Sequence, residues 1–296
     1  MRRQYVVAGF SLRFSHGKPI PASATGRGQK PATTCLPVDV RTSYKFLLAL
    51  LMLLFIRVPV LAQAQPGRGA PQTAKAAAPV DLTGYWVAVI TEDWRFRMMT
   101  PRKGDYDGVP LTAEGRRVAD TWDPAKDETA GDQCKAYGAP GLMRLPGRLH
   151  ITWENDNALR MDTDYGMQTR LFHFGSPPPP AEQPTLQGYS AAEWEFARAA
   201  QGEGGGRGGQ VRGGDLKIVT SRLRPGYLRK NGVPYSANAV LTETFDRITA
   251  PNGDVWLILT AVVEDPLYLS PPFVTSTQFK KLPDASGWNP TPCTAR

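Results

Sequence analysis

The chain has 296 residues, with 35 Lys and Arg against 27 Asp and Glu, which gives a net charge of +8. The excess lies at the N-terminus, because residues 1–64 contain nine of the basic residues and one of the acidic ones. Without them the chain carries 26 residues of each charge. The charge therefore gives no support to a nucleic-acid partner or to binding at an anionic membrane surface.

Residues 44–64 have the organisation of a secretory signal peptide. Arg41 and Lys45 precede an apolar run over 46–56, and the segment ends in a small-x-small cleavage site at Ala64. The run is shorter than the 18 or so apolar residues of a permanent membrane helix. We expect cleavage and a periplasmic or secreted product that makes no membrane contact. An uncleaved N-terminal helix that anchors the protein is the alternative.

Composition divides the rest of the chain into segments. Residues 1–43 show no hydrophobic periodicity, so we expect them to be unstructured and the true translation start to lie nearer the signal. Residues 65–80 contain few large apolar side chains, which predicts a flexible tether. Residues 81–296 are expected to form a single domain, with a disordered Gly-rich loop at 202–214.

Cysteine usage agrees with export. Cys35 precedes the cleavage site, which leaves Cys134 and Cys293 in the mature chain. Two thiols in an oxidising compartment predict one disulfide, and the alternative is a pair of free buried thiols. So few His and Cys residues predict no metal site, and no motif indicates a cofactor.

Short alternating runs separated by turn residues predict an all-β fold. The predicted strands are 84–91, 142–144, 148–154, 158–164, 167–174, 192–196, 216–222, 239–248, 255–263 and 273–279. One short helix begins after the N-cap Thr112 and ends near Trp122. Successive hairpins predict an antiparallel meander closed into a barrel of about ten strands, of calycin or lipocalin type, covered by that helix. A β-sandwich is the alternative.

Three consecutive strands allow their register to be predicted. The turn at 155–157 places His150 opposite Asp162, and the next turn places Asp162 opposite Thr169 and His173 beside Ala158. One polar face then contains His150, Thr152, Glu154, Arg160, Asp162, Thr169 and His173. A histidine beside a carboxylate is a candidate general base, so His150 and Asp162 are candidate catalytic residues. Glu154, Arg160, Thr169 and His173 are candidate ligand contacts. The alternative is the solvated face of an antiparallel sheet.

A second candidate is the segment 222–236, which combines basic and aromatic side chains in a turn-rich stretch. Arg224, Tyr227 and Tyr235 are its candidate ligand-binding residues, suited to an anionic or aromatic molecule. Alternatively, this is a long connection whose tyrosines pack on the barrel rim.

Several short motifs resemble those of a large group of uncharacterised secreted bacterial proteins. They are Asp81-Leu82-Thr83-Gly84-Tyr85-Trp86, Pro110-Leu111-Thr112-Ala113-Glu114-Gly115, Gln187-Gly188-Tyr189-Ser190, Thr242-Glu243-Thr244-Phe245 and Val263-Glu264-Asp265-Pro266. The resemblance covers nearly all of the domain. It implies a β-rich, lipocalin-like exported domain and assigns no activity or catalytic residue.

These observations favour an exported barrel that binds a small, partly apolar molecule. One alternative is an isomerase or hydrolase that uses the His150–Asp162 pair for proton transfer, and another is a structural envelope protein. The oligomeric state and the identity of the ligand are left open.

Overall fold

The computed structural model describes residues 72–177, 183–196 and 213–296. The predictions for residues 1–43, for the signal at 44–64 and for most of the Gly-rich loop lie outside these ranges. Pro66–Arg296 forms one compact unit.

The described residues are mostly strands. They are β1 (Gly84–Val89), β2 (Arg148–Asn155), β3 (Ala158–Thr163), β4 (Thr169–Phe174), β5 (Tyr189–Phe196), β6 (Gly214–Ser221), β7 (Gly226–Arg229), β8 (Val233–Tyr235), β9 (Val240–Thr249), β10 (Val255–Glu264) and β11 (Phe273–Lys281). The helices are short: α1 (Ala74–Ala77), α2 (Trp94–Arg97), α3 (Ala113–Ala119), α4 (Pro124–Thr129), a 3₁₀ turn (Lys135–Tyr137) and α5 (Ala139–Leu142).

Nine of the strands form a closed barrel in the order β1-β11-β10-β9-β6-β5-β4-β3-β2, which returns to β1. This confirms the predicted all-β barrel, with nine strands instead of about ten. β7 and β8 leave the barrel as a separate hairpin, so β6 pairs directly with β9. Whether the barrel is of lipocalin type stays a prediction.

The predicted antiparallel meander is wrong at one place, since β4 and β5 are parallel. Two parallel strands cannot be joined by a hairpin, because the second strand begins at the same end as the first. The predicted strand 142–144 is also wrong. Ala139-Pro140 opens α5 there, and proline is favoured in the first turn of a helix.

The predicted helix is confirmed. It is α3, and the Thr112 hydroxyl accepts a hydrogen bond from the Gly115 amide at 3.0 Å. A second helix, α4, follows it, and the Asp123 carboxylate caps this helix by accepting a hydrogen bond from the Ala125 amide. The predicted disulfide between Cys134 and Cys293 is present.

The segment predicted as a tether is structured over its described part. α1 packs on the β2–β3 turn, where the Lys75 amide donates to the Asp156 carbonyl at 3.0 Å and the Ala74 amide to Asn157 Oδ1 at 2.9 Å. Trp194 Nε1 donates to the Ala74 carbonyl at 2.9 Å. Alanine-rich sequence forms a helix readily once such contacts hold it.

Side chains fill the barrel lumen. One apolar cluster occupies the end near α1 and includes Trp86, Ile151, Leu159, Met161, Phe172, Ile218, Phe245 and Phe279. A second cluster occupies the other end and includes Tyr106, Val109, Leu223, Leu228, Val233, Tyr235, Leu241, Val263, Leu269 and Phe273.

That second end is covered by three long connections, and we call it the capped end. They are residues 90–147 between β1 and β2, residues 222–239 between β6 and β9, and residues 265–272 between β10 and β11. Pairing of Val87 with Arg148 and of Glu264 with Val240 places these connections at the same end. A rigid barrel with long connections gathered at one end is a frequent setting for binding sites.

Candidate functional site

The predicted register of β2, β3 and β4 is confirmed. His150 faces Asp162, Asp162 faces Thr169, and Ala158 faces His173. The alternate residues of these strands, such as Ile151 and Met161, are buried in the lumen. The predicted polar face therefore lies on the outer wall of the barrel, as the solvated-face alternative expected.

His150 is half-buried on this wall because aromatic side chains flank it. Its ring stacks flat on Tyr85 with the ring centroids 4.1 Å apart. Trp288, from the C-terminal segment, meets both rings edge-on, at 6.2 Å from His150 and 5.8 Å from Tyr85. His150 thus contributes to the packing of the C-terminal segment on the barrel.

Asp162 is held by neighbours other than His150. Arg160 Nε donates to one carboxylate oxygen at 2.8 Å, and the Thr169 hydroxyl donates to the other at 2.5 Å. Partial burial opposes ionisation, but these hydrogen bonds together outweigh it, so the pKa of Asp162 lies below its ordinary value. Within the described ranges no hydrogen bond joins Asp162 to His150. The pair consequently lacks the contact by which a carboxylate orients a catalytic histidine.

The remaining predicted residues of this face fall into two places. Arg160 also forms an ion pair with the exposed Glu154 at 3.6 Å, so these two lie with the His150 group. His173 is separate from this group. Its partner on β3 is Ala158, which lies four positions from Asp162, a distance of about 13 Å at strand spacing. Its ring stacks on Tyr189 at 4.9 Å.

The second predicted segment forms the β7–β8 hairpin at the capped end. Tyr235 has no exposed surface and belongs to the apolar cluster there, as the rim-packing alternative expected. Tyr227 donates to Asp127 Oδ2 at 2.9 Å and lines a surface cleft of about 210 Å³. Burial and this hydrogen bond raise the pKa of Tyr227 above its ordinary value. Arg224 is exposed and lies 3.7 Å from Asp132.

The same end contains a group that the sequence reasoning missed, three buried arginines that we call the arginine cluster. Arg97 belongs to α2, Arg144 follows α5, and Arg229 ends β7. Their exposed fractions are 4%, 6% and 4%. Lysine and arginine are rarely buried so deeply unless they are paired.

Two of the three arginines have carboxylate partners. Arg97 pairs with Glu92, and its Nε donates to the Arg144 carbonyl at 2.9 Å. Arg144 Nη2 pairs with Asp93 at 2.8 Å. Arg97 Nη2 is buried without a hydrogen-bond partner among the described residues.

Arg229 differs from the other two. Its Nη1 donates to the Asp107 carbonyl at 2.7 Å, and its guanidinium lies over the Phe96 ring at 4.1 Å. In the described ranges no carboxylate lies within 4.0 Å of it, and its Nε is buried without a partner. Burial, and then the charge of Arg144, lower the pKa of Arg229 to about 10, so it remains a cation at neutral pH.

An open groove of about 430 Å³ borders the arginine cluster. Its lining is Gly108, Val109, Pro110, Pro272, Phe273 and Val274. Phe273 connects the two features, because its ring centroid lies 5.7 Å from the Arg144 guanidinium and 5.9 Å from that of Arg229. Gly108 connects them as well, since a Cβ atom there would lie 3.6 Å from Arg229 Nη2.

A buried ion pair inside the lumen was also missed. Arg170 of β4 donates to both carboxylate oxygens of Glu243 on β9, at 3.0 and 2.5 Å. It also donates to the Thr220 hydroxyl at 3.2 Å, and Thr220 lies 2.8 Å from the Ser190 hydroxyl. This polar layer crosses the filled barrel, which makes it a part of the core.

The sequence pattern indicates that Arg170 and Glu243 are buried, and it gives a partial indication of the arginine cluster. Arg170 alternates with Phe172 and Phe174, and Glu243 alternates with Leu241 and Phe245, so each charge stands on an apolar strand face. Arg229 lies inside the segment 222–236 that was singled out. Arg97 and Arg144 stand in the connection 90–147, whose helices are too short for a periodicity that would indicate which side chains are buried.

Neither the described residues nor similarity to known proteins assigns a metal site, a membrane span or a family to the chain. Among the described residues no group of three or more His, Cys, Asp or Glu side chains is placed to hold a metal ion, and no helix there is long and apolar enough to cross a membrane. No family model, curated protein or solved structure matches the chain.

Proposed function

We propose that the chain is an exported β-barrel protein that binds a small, partly apolar molecule in the groove at the capped end. The observation that carries this proposal is the groove itself, an opening of about 430 Å³ lined mainly by Val109, Pro110, Pro272, Phe273 and Val274. Ligand sites are typically concave, largely apolar, and supplied with a few polar groups. The neighbouring arginine cluster supplies such groups.

The packing of the barrel supports a site at its end and not in its centre. Two apolar clusters and the Arg170–Glu243 pair occupy the lumen. Small barrels are commonly filled by their own side chains in this way. Val274 is an apolar side chain that is 61% exposed beside Phe273, so the groove offers apolar surface without any rearrangement of the core.

Export is supported by the disulfide as well as by the signal-like segment. Disulfides persist in oxidising compartments such as the periplasm. The Cys134–Cys293 bond joins the β1–β2 connection to the C-terminal segment.

The proton-transfer alternative receives less support from the geometry. The His150 ring is stacked on Tyr85, and both oxygens of Asp162 accept hydrogen bonds from Arg160 and Thr169. A general base needs access to the proton that it removes. No observation on the described residues favours the structural envelope role over ligand binding.

The proposal is tested by titrating the protein with octan-1-ol and following backbone amide shifts by NMR. We expect the shifts to concentrate at Gly108, Val109, Phe273 and Val274. Val274→Glu should abolish them, whereas Val219→Glu should not, because Val219 is an exposed apolar residue on β6, away from the groove. Shifts at the His150 face, or equal effects of the two variants, would contradict the proposal.

A further inference from the structure

The charges around the arginine cluster do not balance within hydrogen-bonding distance. Glu92 neutralises Arg97 and Asp93 neutralises Arg144. The carboxylates of Asp105 and Asp107 are nearby, but they lie 3.2 and 3.7 Å from Arg95 instead. In the described part of the chain this leaves Arg229 as a buried cation with carbonyl and aromatic contacts only.

Such an arrangement is costly unless an anion completes it. A buried charge requires an opposite charge or several hydrogen bonds to offset its lost hydration. Among the described residues Arg229 Nε lacks a hydrogen-bond partner, and the like charge of Arg144 lies at a similar distance, 5.7 against 5.9 Å, from the centroid of the same Phe273 ring. Because Asp93 already pairs with Arg144, an anion beside Phe273 would offset the charge of Arg229 and would lie near the second guanidinium group as well.

The groove provides the route by which an anion can arrive. Gly108 is at once a lining residue of the groove and the neighbour of Arg229 Nη2. Its backbone has a φ of +75°, a conformation that favours glycine, and it places no side chain between the groove and the guanidinium. The headgroup of a ligand at Gly108 would therefore lie next to the Arg229 guanidinium, while the apolar part of the ligand would rest on Phe273 and Val274.

From this geometry we infer that the ligand of the groove is an amphiphilic oxyanion, a carboxylate or phosphate monoester on an apolar chain, whose headgroup is bound by Arg229 with Arg144 beside it. The inference rests on the proposed function and names its ligand class. Guanidinium groups bind both headgroups because their planar forks match pairs of oxygen atoms.

The first experiment compares octanoate, octyl phosphate and octan-1-ol on the wild-type protein by calorimetry. We expect at least one of the two anions to bind about tenfold more tightly than the alcohol, or better, as a charge-assisted hydrogen bond would provide. The tighter of the two anions identifies the headgroup. Equal affinity for all three probes would overturn the inference and leave groove binding intact, whereas binding of none would overturn the proposed function as well.

Two substitutions at Gly108 supply a matched pair of variants. Asp and Asn have the same size and both tolerate a positive φ, but only Gly108→Asp adds a carboxylate beside Arg229. We expect Gly108→Asp to melt about 3 °C or more above Gly108→Asn and to lose the preference for anions, because its own carboxylate occupies the site. Identical melting temperatures and an unchanged anion preference in both variants would contradict the inference.

A third variant tests Arg229 directly. Arg229→Gln should lose the preference for anions, so that octanoate, octyl phosphate and octan-1-ol bind this variant with similar affinity. Arg224→Gln is the control, since Arg224 lies in the same connection but is exposed and pairs with Asp132. An Arg229→Gln protein that folds and still prefers anions would exclude Arg229 as the headgroup partner.

Discussion

Replacing Glu243 by Leu is expected to destabilise the folded protein by about 3–5 kcal/mol, because it leaves Arg170 charged inside the lumen without its partner. The side chains of Arg170 and Glu243 are 1% and 0% exposed. The change removes two charge-assisted hydrogen bonds, at 3.0 and 2.5 Å, each contributing about 1.5–3 kcal/mol. Among the described residues the remaining hydrogen bond, to Thr220 at 3.2 Å, is with a neutral hydroxyl, and the Phe172 ring, 5.0 Å from the guanidinium, carries no net charge, so neither replaces the carboxylate.

The double variant Arg170→Met/Glu243→Leu should behave differently. It replaces both charges by apolar side chains, and such replacements of buried pairs are often neutral or stabilising. We therefore expect the double variant to be more stable than either single variant. The difference between the double variant and the two singles is the coupling energy of the pair.

Urea unfolding of the wild type, both single variants and the double variant measures these energies. With a denaturant slope of about 3 kcal/mol per molar, the Glu243→Leu midpoint should fall by about 1–2 M. The exposed pair Glu114–Arg117 on α3 is the control, and removing it should leave the midpoint almost unchanged. Additive effects of the two lumen substitutions, or a midpoint shift as small as that of the control, would refute the reasoning.

Three further predictions concern the disulfide, the loss of stability at acidic pH and the N-terminus of the mature protein. Reducing the bond between Cys134 and Cys293, which are separated by 159 positions, should lower stability by about 5 kcal/mol on the chain-entropy model, and thermal unfolding with and without reductant measures this. Because the folded-state pKa of Asp162 is depressed, its ionised form stabilises the fold above the unfolded pKa of about 3.9, and this contribution is lost as the pH falls through the folded value. The Asp162→Asn variant should thus be less stable than the wild type at pH 7, and the difference in stability should be smaller at pH 3. An equal difference at both pH values would contradict a lowered pKa of Asp162. Mass spectrometry of the exported protein should find an N-terminus at Gln65, and a peptide from residues 44–64 in that protein would contradict cleavage of the signal.

The register of β2, β3 and β4 was predictable because two independent constraints agree. Apolar and polar residues alternate along most of these strands, with Arg170 and Leu171 on β4 as exceptions, and the turns between the strands are short and contain Asn and Gly. Both constraints are local, so no knowledge of the remaining barrel was needed to place His150 opposite Asp162.

The parallel β4–β5 pair and the lumen ion pair depend on closure of the barrel and could not be predicted in this way. Arg170 and Glu243 are 73 positions apart, on strands separated by β5 and β6, and they meet only across the lumen. The arginine cluster is harder still to predict from the sequence. Its members come from two connections, 90–147 and 222–239, which come together only when the barrel is complete.

Barrel closure also has a consequence for biosynthesis. β1 pairs with β11, so Trp86 cannot meet Lys281 until 195 further residues have been made. At translation rates of about 5–20 residues per second this takes roughly 10–40 s. During that interval one edge of β1 is unpaired, and unpaired strand edges invite association with other chains. A nascent or translocating chain of this protein is therefore expected to need protection by a chaperone until β11 emerges.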